Sequence, residues 1–224
     1  HDLRSPLTSI QAYVEGLVDG VAKTEEARQR YLHTIRTKAE DIDRLISQLF
    51  LYSKLDLGGV PLDTQAVRLD EFVTHFVEKA ALDSRVRGLE VTVDSLAPVT
   101  VSADPEQLSR VLSNVLENSI KYKSKAMGHL HITLEESGCL SLADDGPGVP
   151  EADLPKLFDV FYRSDPARRN PAGGSGLGLA IASKAVYSMG GMIRACNRPG
   201  GGLTIEITLP KEGDRRAEDP DHRG

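Results

Sequence analysis

The chain has 224 residues, of which 40% are hydrophobic and 27% charged, and its formal net charge is -6. This length suffices for one large domain or two ordinary ones, and the acidic balance argues against a surface that coats nucleic acid. No apolar run approaches the ~20 residues that span a bilayer, so we expect no membrane segment. The two cysteines, Cys139 and Cys196, lack the spacing of a zinc site, which predicts free thiols in a reducing cytosol.

The first predicted element is an amphipathic helix, which is followed by a second one. Apolar residues recur at alternating intervals of four and three, and this period of 3.5 indicates a seam between packed helices. The seam of the first helix comprises Leu3, Leu7, Ile10, Val14, Leu17 and Val21. The seam of the second comprises Leu32, Ile35, Ala39, Ile42, Leu45 or Ile46, Leu49 and Phe50. Residues 19–24 connect the helices, with Thr24 as the expected N-cap of the second.

Two such helices form an antiparallel hairpin, in which each seam is only half covered. Pairing of two chains would cover both seams, so the sequence predicts a homodimer through a four-helix bundle. The helical pattern stops around the sequence Leu57-Gly58-Gly59-Val60-Pro61. We therefore expect a domain boundary there, with a linker over residues 58–67.

The second domain is predicted over residues 68–210 as an α/β sandwich with a mixed sheet. Periodicity and capping residues predict helices over 70–84, from Asp104 onward, over 151–161 and over 176–189. Strands are predicted over 89–94, 99–102, 129–135, 139–144, 191–196 and 203–209. Helices on one face of such a sheet give the sandwich. Residues 211–224 are charged and poor in apolar groups, which predicts a disordered tail.

A polar stripe follows the helix that begins after Asp104. At 100° per residue, Asn114, Asn118 and Lys121 share one face, while the apolar residues occupy another. Amide oxygens suit Mg²⁺, and a lysine supplies a point charge for a phosphate. Taken alone, this stripe is better interpreted as the solvated face of an ordinary amphipathic helix.

An acidic glycine turn comes next, in which Asp144 ends a strand and Gly146-Pro147-Gly148 follow. The turn lets backbone approach a flat ligand, and the carboxylate can accept a hydrogen bond from an exocyclic amine such as that of adenine. A tight surface turn would have the same composition.

A glycine-rich loop completes the series at residues 173–178 and leads into an apolar helix, whose first N–H groups can hold phosphate oxygens. A flexible linker is the alternative. Before it lies a polar stretch, Arg163 to Pro171, with further arginines at 168 and 169, which reads as a mobile lid or as a solvated loop. The three motifs in this order indicate a pocket for ATP.

The array resembles the N, G1, F and G2 boxes of sensor histidine kinases, whose nucleotide domain is shared with Hsp90, type II topoisomerases and MutL. The F box would be Leu157-Phe158-Asp159-Val160-Phe161-Tyr162, and His1-Asp2-Leu3-Arg4-Ser5-Pro6-Leu7 resembles the H box. The resemblance covers about residues 1–210. It implies that residues 1–57 form the dimerisation and histidine-phosphotransfer hairpin and that residues 68–210 form the catalytic ATP-binding domain.

The resemblance also implies roles for single residues. Asn118 would be the Mg²⁺ ligand, and Asp144 would read the adenine amine. Other residues implied to line or shape the nucleotide site are Asn114, Lys121, Tyr122, Gly146, Gly148, Phe158, Arg163, Gly174, Gly176, Leu177 and Gly178.

His1 is the predicted phosphoryl acceptor. It lies about 150° from the helical seam and faces solvent, and Ser5 lies one turn along on the same outward face. Asp2 could bind one ring nitrogen, so that the other attacks the γ-phosphate. A terminal histidine left from cloning is the alternative, which the heptad register and the H-box match argue against. His129 and His131 share a strand face and are interpreted as surface residues.

The predicted function is therefore ATP-dependent autophosphorylation of His1. The resemblance implies subsequent transfer to an aspartate on the receiver domain of a response regulator. It also implies a possible phosphatase activity toward that regulator. Relatives with this activity often carry Thr or Asn four residues after the histidine, and Ser5 at that position retains a hydroxyl. A clamp-type ATPase and a scaffold without activity are the competing hypotheses. The implied location is the cytoplasmic part of an inner-membrane sensor, in a parent protein with a membrane anchor.

Overall fold

The computed structural model describes residues 4–83, 86, 88–164 and 174–213. The chain divides into two compact units, His1–Ser53 and Lys54–Gly224. Within the described ranges, no helix combines the length and the apolar character needed to cross a membrane.

The first unit is a pair of helices, α1 (Arg4–Val18) and α2 (Glu25–Asp56), of which α2 runs past the unit boundary. The rings of Tyr13 and Tyr31 join the two helices edge to face, with centroids 5.0 Å apart and an interplanar angle of 86°. Gly16 makes room for this contact, because a methyl group there would lie 2.8 Å from the Tyr31 ring. The glycine is a packing device that the heptad pattern did not indicate.

The connection between the helices ends α1 earlier than the predicted seam. Gly20 adopts a φ of 66°, the amide of Val21 donates to the Gly16 carbonyl at 2.9 Å, and the Gly20 amide donates to Leu17. These are the two bonds of a Schellman motif, which stops the helix. Val21 therefore lies in the connection and not in α1, which corrects the predicted seam. The predicted cap is confirmed, since the Thr24 hydroxyl accepts a bond from the Ala27 amide at 3.1 Å.

The hairpin buries little within a single chain. Among the described residues up to Ser53, Ala22 is the one hydrophobic residue that is fully buried. Large seam residues remain exposed instead, namely Leu7, Val14, Leu32, Ile46, Leu49 and Phe50. The predicted seam is thus an apolar surface.

The second unit contains three further α-helices, a 3₁₀ helix and seven strands among its described residues. Its helices are α3 (Leu69–Leu82), α4 (Pro105–Tyr122) and α5 (Gly178–Ser188). Its strands are β1 (Gln65–Arg68), β2 (Leu89–Leu96), β3 (Thr100–Ala103), β4 (Gly128–Leu134), β5 (Cys139–Asp144), β6 (Met192–Asn197) and β7 (Leu203–Thr208). The main sheet has the order β2-β4-β5-β7-β6, in which β2 and β4 are parallel and the other pairs antiparallel. A mixed sheet is therefore confirmed.

The core lies on one face of this sheet. Alternate residues of β4 are buried, from Gly128 to Leu134, while His129 and His131 keep about two fifths of their side chains exposed. The predicted apolar face of α4 is also buried, at Leu108, Val111, Leu112 and Val115. Alternation of period two in the strand and a helical stripe opposite it produce this layered packing.

A second, smaller sheet was not predicted. Strand β1 pairs antiparallel with β3, although residues 65–67 fall in the expected linker. Four residues with one buried side chain, Val67, give too short a pattern to recognise. On the other edge of β3, Lys211 bridges Val101, and the Glu212 amide donates to the Thr100 carbonyl at 3.1 Å. The start of the expected tail is thus paired with β3, and residues 214–224 lie outside the described ranges.

The predicted helix over 151–161 is shorter than expected. A 3₁₀ helix spans Glu151–Lys156 and contains Pro155, and turns follow it to Phe161. The proline ring removes one backbone donor from the segment, and 3₁₀ geometry is usual in such short pieces.

Candidate functional site

Helix α4 carries the polar stripe and is fixed at its first turn. The Asp104 carboxylate accepts bonds from the amides of Glu106 (2.8 Å) and Gln107 (3.1 Å), so Asp104 is the N-cap of α4. Its other oxygen accepts a bond from the Asp63 amide at 2.9 Å. With this cap in place and its apolar face buried, α4 presents Asn114 in a defined orientation.

Asn114 lies against the start of α5. Its amide group donates to the Arg110 carbonyl at 3.0 Å, and a methyl group on Gly178 would lie 3.1 Å from its Oδ1 atom. The first helical residue after the glycine-rich loop, Gly178, therefore contacts the polar stripe, as expected if the two motifs belong to one ATP pocket.

Asn118 and Lys121 continue the stripe toward the glycine loop. The Asn118 side chain is half-buried and makes no hydrogen bond to the part of the chain that the structure describes. The Lys121 Nζ atom lies 3.5 Å from Glu117, and a methyl group on Gly174 would lie 3.2 Å from it. One amide and one cation are thus placed beside the loop.

Asp144 ends β5 with one carboxylate oxygen already engaged. Its Oδ1 atom accepts bonds from the amides of Gly146 (2.9 Å) and Leu203 (3.0 Å). Within the described residues Oδ2 has no such partner, so it can accept a hydrogen bond from a ligand. Burial raises the pKa of this carboxyl above its ordinary value, an effect opposed by the two backbone bonds and by Arg198 and reinforced by Asp145.

The turn after Asp144 contacts the end of α4. A methyl group on Gly146 would lie 3.0 Å from both the Tyr122 carbonyl oxygen and Asp144 Oδ1. Tyr122 therefore contributes backbone to this wall of the site. The predicted residues of the first two motifs are accordingly neighbours in space.

The third motif is tied to the chain before the predicted lid. The amide of Phe161 donates to the Gly176 carbonyl at 3.2 Å, and both residues have a positive φ, 61° and 72°. A methyl group on Gly176 would lie 2.8 Å from the Tyr162 carbonyl oxygen, so this position requires glycine. Leu177 is fully buried beside it, and its amide donates to the Ser175 hydroxyl at 3.2 Å.

The remaining predicted site residues belong to other segments of the chain. Phe158 and Arg163 are half-buried in the segment that follows the 3₁₀ helix. Ser5 belongs to the first unit, is exposed, and accepts a bond from the Ser9 hydroxyl on its carbonyl. His1, Asp2, His222, Gly173 and the arginines at 168 and 169 lie outside the described residues.

No sequence motif indicated that the β6–β7 turn takes part in the site. Its Arg198 side chain donates to the Asp144 carbonyl oxygen at 2.9 Å, and the Asn197 side chain bonds both backbone groups of Val149. The available signal was the run of three glycines at residues 200–202, which by itself predicts only a turn between strands.

The remaining candidate ligands do not form a metal centre. His129 lies 3.4 Å from Glu90, and His131 lies 3.2 Å from Asp94, as separate pairs on the exposed face of the sheet. No group of three or more metal-ligating side chains occurs among the residues with described positions. Both cysteines are free thiols.

Two family models match the sequence. Residues 1–58 match the His Kinase A (phospho-acceptor) domain, and residues 103–213 match the histidine kinase-, DNA gyrase B- and HSP90-like ATPase. The first match includes His1, and the second includes all three glycine- and asparagine-bearing motifs.

Individual proteins agree with these matches. The chain is 32% identical over 217 residues to the sensor histidine kinase WalK of Bacillus subtilis, covering 94% of this chain and 35% of WalK. The chain thus spans about a third of the curated relatives it matches. The mycobacterial sensor histidine kinase MprB is 32% identical with a TM-score of 0.56, over 66% of this chain and 98% of the MprB structure.

A solved histidine kinase covers both units. AdeS of Acinetobacter baumannii has a TM-score of 0.71 at 26% identity and covers 93% of this chain and 98% of its own. The motifs, the fold and these similarities agree. The chain belongs to the sensor histidine kinases, and its α/β domain is an ATP-binding domain of the histidine kinase-, DNA gyrase B- and HSP90-like ATPase family.

Proposed function

We propose that this region transfers the γ-phosphoryl group of ATP to His1 and then to an aspartate on a response regulator. The observation that carries the proposal is the arrangement around Asp144. Its Oδ2 atom can accept a hydrogen bond from a ligand, and α4 contacts both the turn after Asp144 and the glycine-rich loop. A carboxylate at one end and N–H groups with a cation at the other match the two ends of ATP.

The adenine end is assigned to Asp144. Its Oδ2 atom would accept a hydrogen bond from the exocyclic amine, and the Gly146-Pro147-Gly148 turn would let the backbone approach the ring. The phosphates are assigned to Gly174, to the N-terminus of α5 and to Lys121, since backbone amides and a lysine both favour anionic oxygens.

Asn118 fits the role of Mg²⁺ ligand. Its half-buried amide is one turn from Asn114, has no partner among the described residues, and offers the neutral oxygen that Mg²⁺ accepts alongside phosphate oxygens. When bound, Mg²⁺ neutralises charge on the phosphates during transfer. Asn118 and Lys121 would then orient the γ-phosphoryl group.

His1 is the proposed nucleophile. One imidazole nitrogen forms a bond to the γ-phosphorus while the bond to the β–γ bridging oxygen breaks, and ADP leaves. Asp2 would hold the other ring nitrogen and fix the tautomer. The phosphoryl group then passes from the imidazole nitrogen to the regulator aspartate. A phosphatase reaction would instead use water to hydrolyse the aspartyl phosphate and release inorganic phosphate, and Ser5, four residues after His1, is the residue we assign to it.

Two further parts of the proposal concern assembly and location. The exposed seam of the hairpin supports a homodimer, because burial of such side chains stabilises the complex by about 0.8 kcal/mol for each CH₂ group that leaves water. Likeness to sensor kinases supports a cytoplasmic position for this region, next to the inner membrane.

The test is incubation of the chain with Mg²⁺ and ATP labelled at the γ-phosphate. We expect acid-labile label on the wild type and none on His1→Gln, while ATP affinity stays the same because His1 lies outside the nucleotide-binding residues. Label retained by the His1→Gln variant would contradict the assignment. Phosphate release without labelled protein would favour the ATPase hypothesis.

A further inference from the structure

The turn between β6 and β7, residues Asn197–Leu203, encloses the Asp144 end of the proposed nucleotide site. It is closed on itself by two backbone bonds, from the Arg198 amide to the Gly202 carbonyl at 2.9 Å and from the Gly201 amide to the Arg198 carbonyl at 3.1 Å. Neither the sequence motifs nor the family matches assign a role to it. Its contacts are directed at Asp144 and at the segment that follows it.

Three contacts from this turn converge on Asp144. The Leu203 amide donates to Oδ1 at 3.0 Å, and the Arg198 guanidinium donates to the main-chain carbonyl at 2.9 Å. Gly202 packs against the same carbonyl so closely that a methyl group there would overlap it, and its φ of 104° favours glycine. The turn therefore fixes both the backbone and the carboxylate of Asp144.

The same turn holds the chain beyond the glycine turn. The Asn197 side chain accepts from the Val149 amide at 3.0 Å and donates to the Val149 carbonyl at 2.7 Å and to Glu151 at 2.9 Å. A methyl group on Gly148 would lie 2.8 Å from Asn197 Oδ1. The segment from Asp144 to Val149 is thus held at both ends by neighbouring residues of one turn.

This arrangement determines which carboxylate oxygen a ligand meets. Since Oδ1 is engaged by two amides, the carboxylate cannot rotate freely, and Oδ2 keeps a fixed direction. An exocyclic amine can donate to that oxygen, whereas the carbonyl oxygen that guanine carries at the same ring position would be repelled by it. Discrimination between the two bases therefore depends on how firmly Asp144 is held.

We propose that Arg198 is a positioning residue that sets adenine specificity, by holding the Asp144 backbone through its bond to the carbonyl. The inference rests on the proposed nucleotide site, because it names what orients the adenine acceptor of that site. Arg198 itself does not contact the nucleotide. Its effect is exerted on Asp144.

The experiment is a calorimetric titration of the complete 224-residue chain with ATP and with GTP, each with Mg²⁺, for the wild type and Arg198→Met. Methionine keeps much of the apolar stem and removes the donor and the charge. A hydrogen bond to a charged group contributes enough for a change of about tenfold or more. We expect ATP affinity to fall about tenfold and GTP affinity to change less than twofold, so the ATP-to-GTP ratio falls about tenfold.

Arg194→Met is the matched control. Arg194 lies on β6 and is exposed, so its substitution removes the same charge from the same hairpin without touching Asp144. We expect its ratio to equal that of the wild type. Thermal unfolding of every variant is recorded alongside. If Arg198→Met does not fold, Arg198→Leu, which also lacks the donor and the charge, replaces it in the same comparison.

The outcomes separate the two proposals. A wild type that binds neither nucleotide would overturn the proposed function and this inference with it. A wild type that prefers ATP, with an unchanged ratio in the folded Arg198 variant, overturns the inference alone. An equal loss of both nucleotides also overturns it, since that indicates a structural role without specificity. A fall of the ratio in the Arg198 variant but not in Arg194→Met supports it.

Discussion

The two units of this chain treat their apolar residues in opposite ways. In the α/β unit, large side chains such as Leu108, Ile132 and Ile207 are at most 2% exposed, so its core is completed within one chain. In the hairpin, Leu32 is 50% exposed and Phe50 is 67% exposed, although both belong to the predicted seam. An apolar residue left in water is a loss of stabilisation that a second copy can recover.

From this contrast we expect the hairpin to depend on a partner chain and the α/β unit to be independent of one. The sheet order, the cap and the glycine contacts of the α/β unit all lie within its own residues, so we expect one chain to suffice for nucleotide binding. The hairpin presents a regular apolar stripe with little core of its own. Dimerisation and nucleotide binding should accordingly be separable by single substitutions.

The largest expected effect is on the hairpin. Ile46→Lys places a charge on the exposed stripe and should raise the dimer dissociation constant more than 100-fold. Each of two symmetric sites loses part of the 1.5–3 kcal/mol, roughly, that full burial of an isoleucine contributes, and each brings a lysine charge out of water. ATP affinity should stay within twofold. Sedimentation equilibrium and calorimetry measure the two quantities.

Ser47→Lys is the control for that experiment. Ser47 is exposed and lies next to Ile46, outside the seam. The same charge at this position should leave the dimer intact. A dimer that survives Ile46→Lys, or an equal weakening by Ser47→Lys, would show that the seam is not the interface.

An intermediate effect is expected on the stability of the α/β unit. Asp104 is 5% exposed and accepts bonds from three amides, those of Asp63, Glu106 and Gln107. Asp104→Ala leaves these donors without an acceptor and should cost about 3 kcal/mol of unfolding free energy, measured by urea denaturation. Asp104→Asn should cost less, because asparagine also caps helices well.

Asp63→Ala is the matched comparison for Asp104. Asp63 donates through its backbone amide, which alanine retains, so the change should lie within 0.5 kcal/mol, roughly. If Asp63→Ala destabilised the unit as much as Asp104→Ala, the side chain of Asp63 would have a role that this bond does not explain.

The smallest effect is a pH dependence confined to the α/β unit. Burial raises the pKa of Asp144 above its ordinary value of 3.8, with Asp145 raising it further and Arg198 lowering it. ATP needs the ionised carboxylate, so ATP affinity should fall several-fold as pH decreases through the raised pKa. GTP affinity, measured over the same range, should not fall and should rise where protonation removes the repulsion between the carboxylate and the guanine carbonyl. A flat ATP profile would contradict the role of Asp144.

The stability contributed by this carboxyl changes in the opposite direction. Because the folded state holds the proton more tightly than the unfolded state, the contribution is fully present below pH 3.8, roughly, and is lost as pH rises through the raised pKa. Weaker ATP binding at mildly acidic pH is therefore not explained by unfolding through this group. Urea denaturation at matched pH values distinguishes the two.

Periodicity predicted most of the elements, because buried faces follow the repeat of the helix or strand that carries them. The α4 helix illustrates this, since its cap, its apolar face and its polar stripe are all local patterns. Contacts between distant positions gave no such signal. Arg198 meets Asp144 across 54 positions, and β1 is recognisable only by its pairing with β3.

Sequence motifs identified site residues where the combination of residue types is unusual, and they did not identify them where the combination is common. Asp144 and the glycines stood out as a combination, whereas an Asn-Arg pair at the end of a strand does not. The predicted connection over residues 19–24 agrees with the end of α1 at Val18, but the seam was extended too far, to Val21. Val21 continues the apolar spacing, but Gly20 stops the helix before it.

Strand β3 has a further consequence for the α/β unit as a module. It pairs with β1 on one edge and with Lys211 on the other, so segments far apart in the sequence share one small sheet. Neighbouring strands are about 4.8 Å apart, which places β1 and Lys211 roughly 10 Å from each other. A truncation that removed residues 210–213 would leave the backbone groups of Thr100 and Ser102 without these partners and expose that edge of β3.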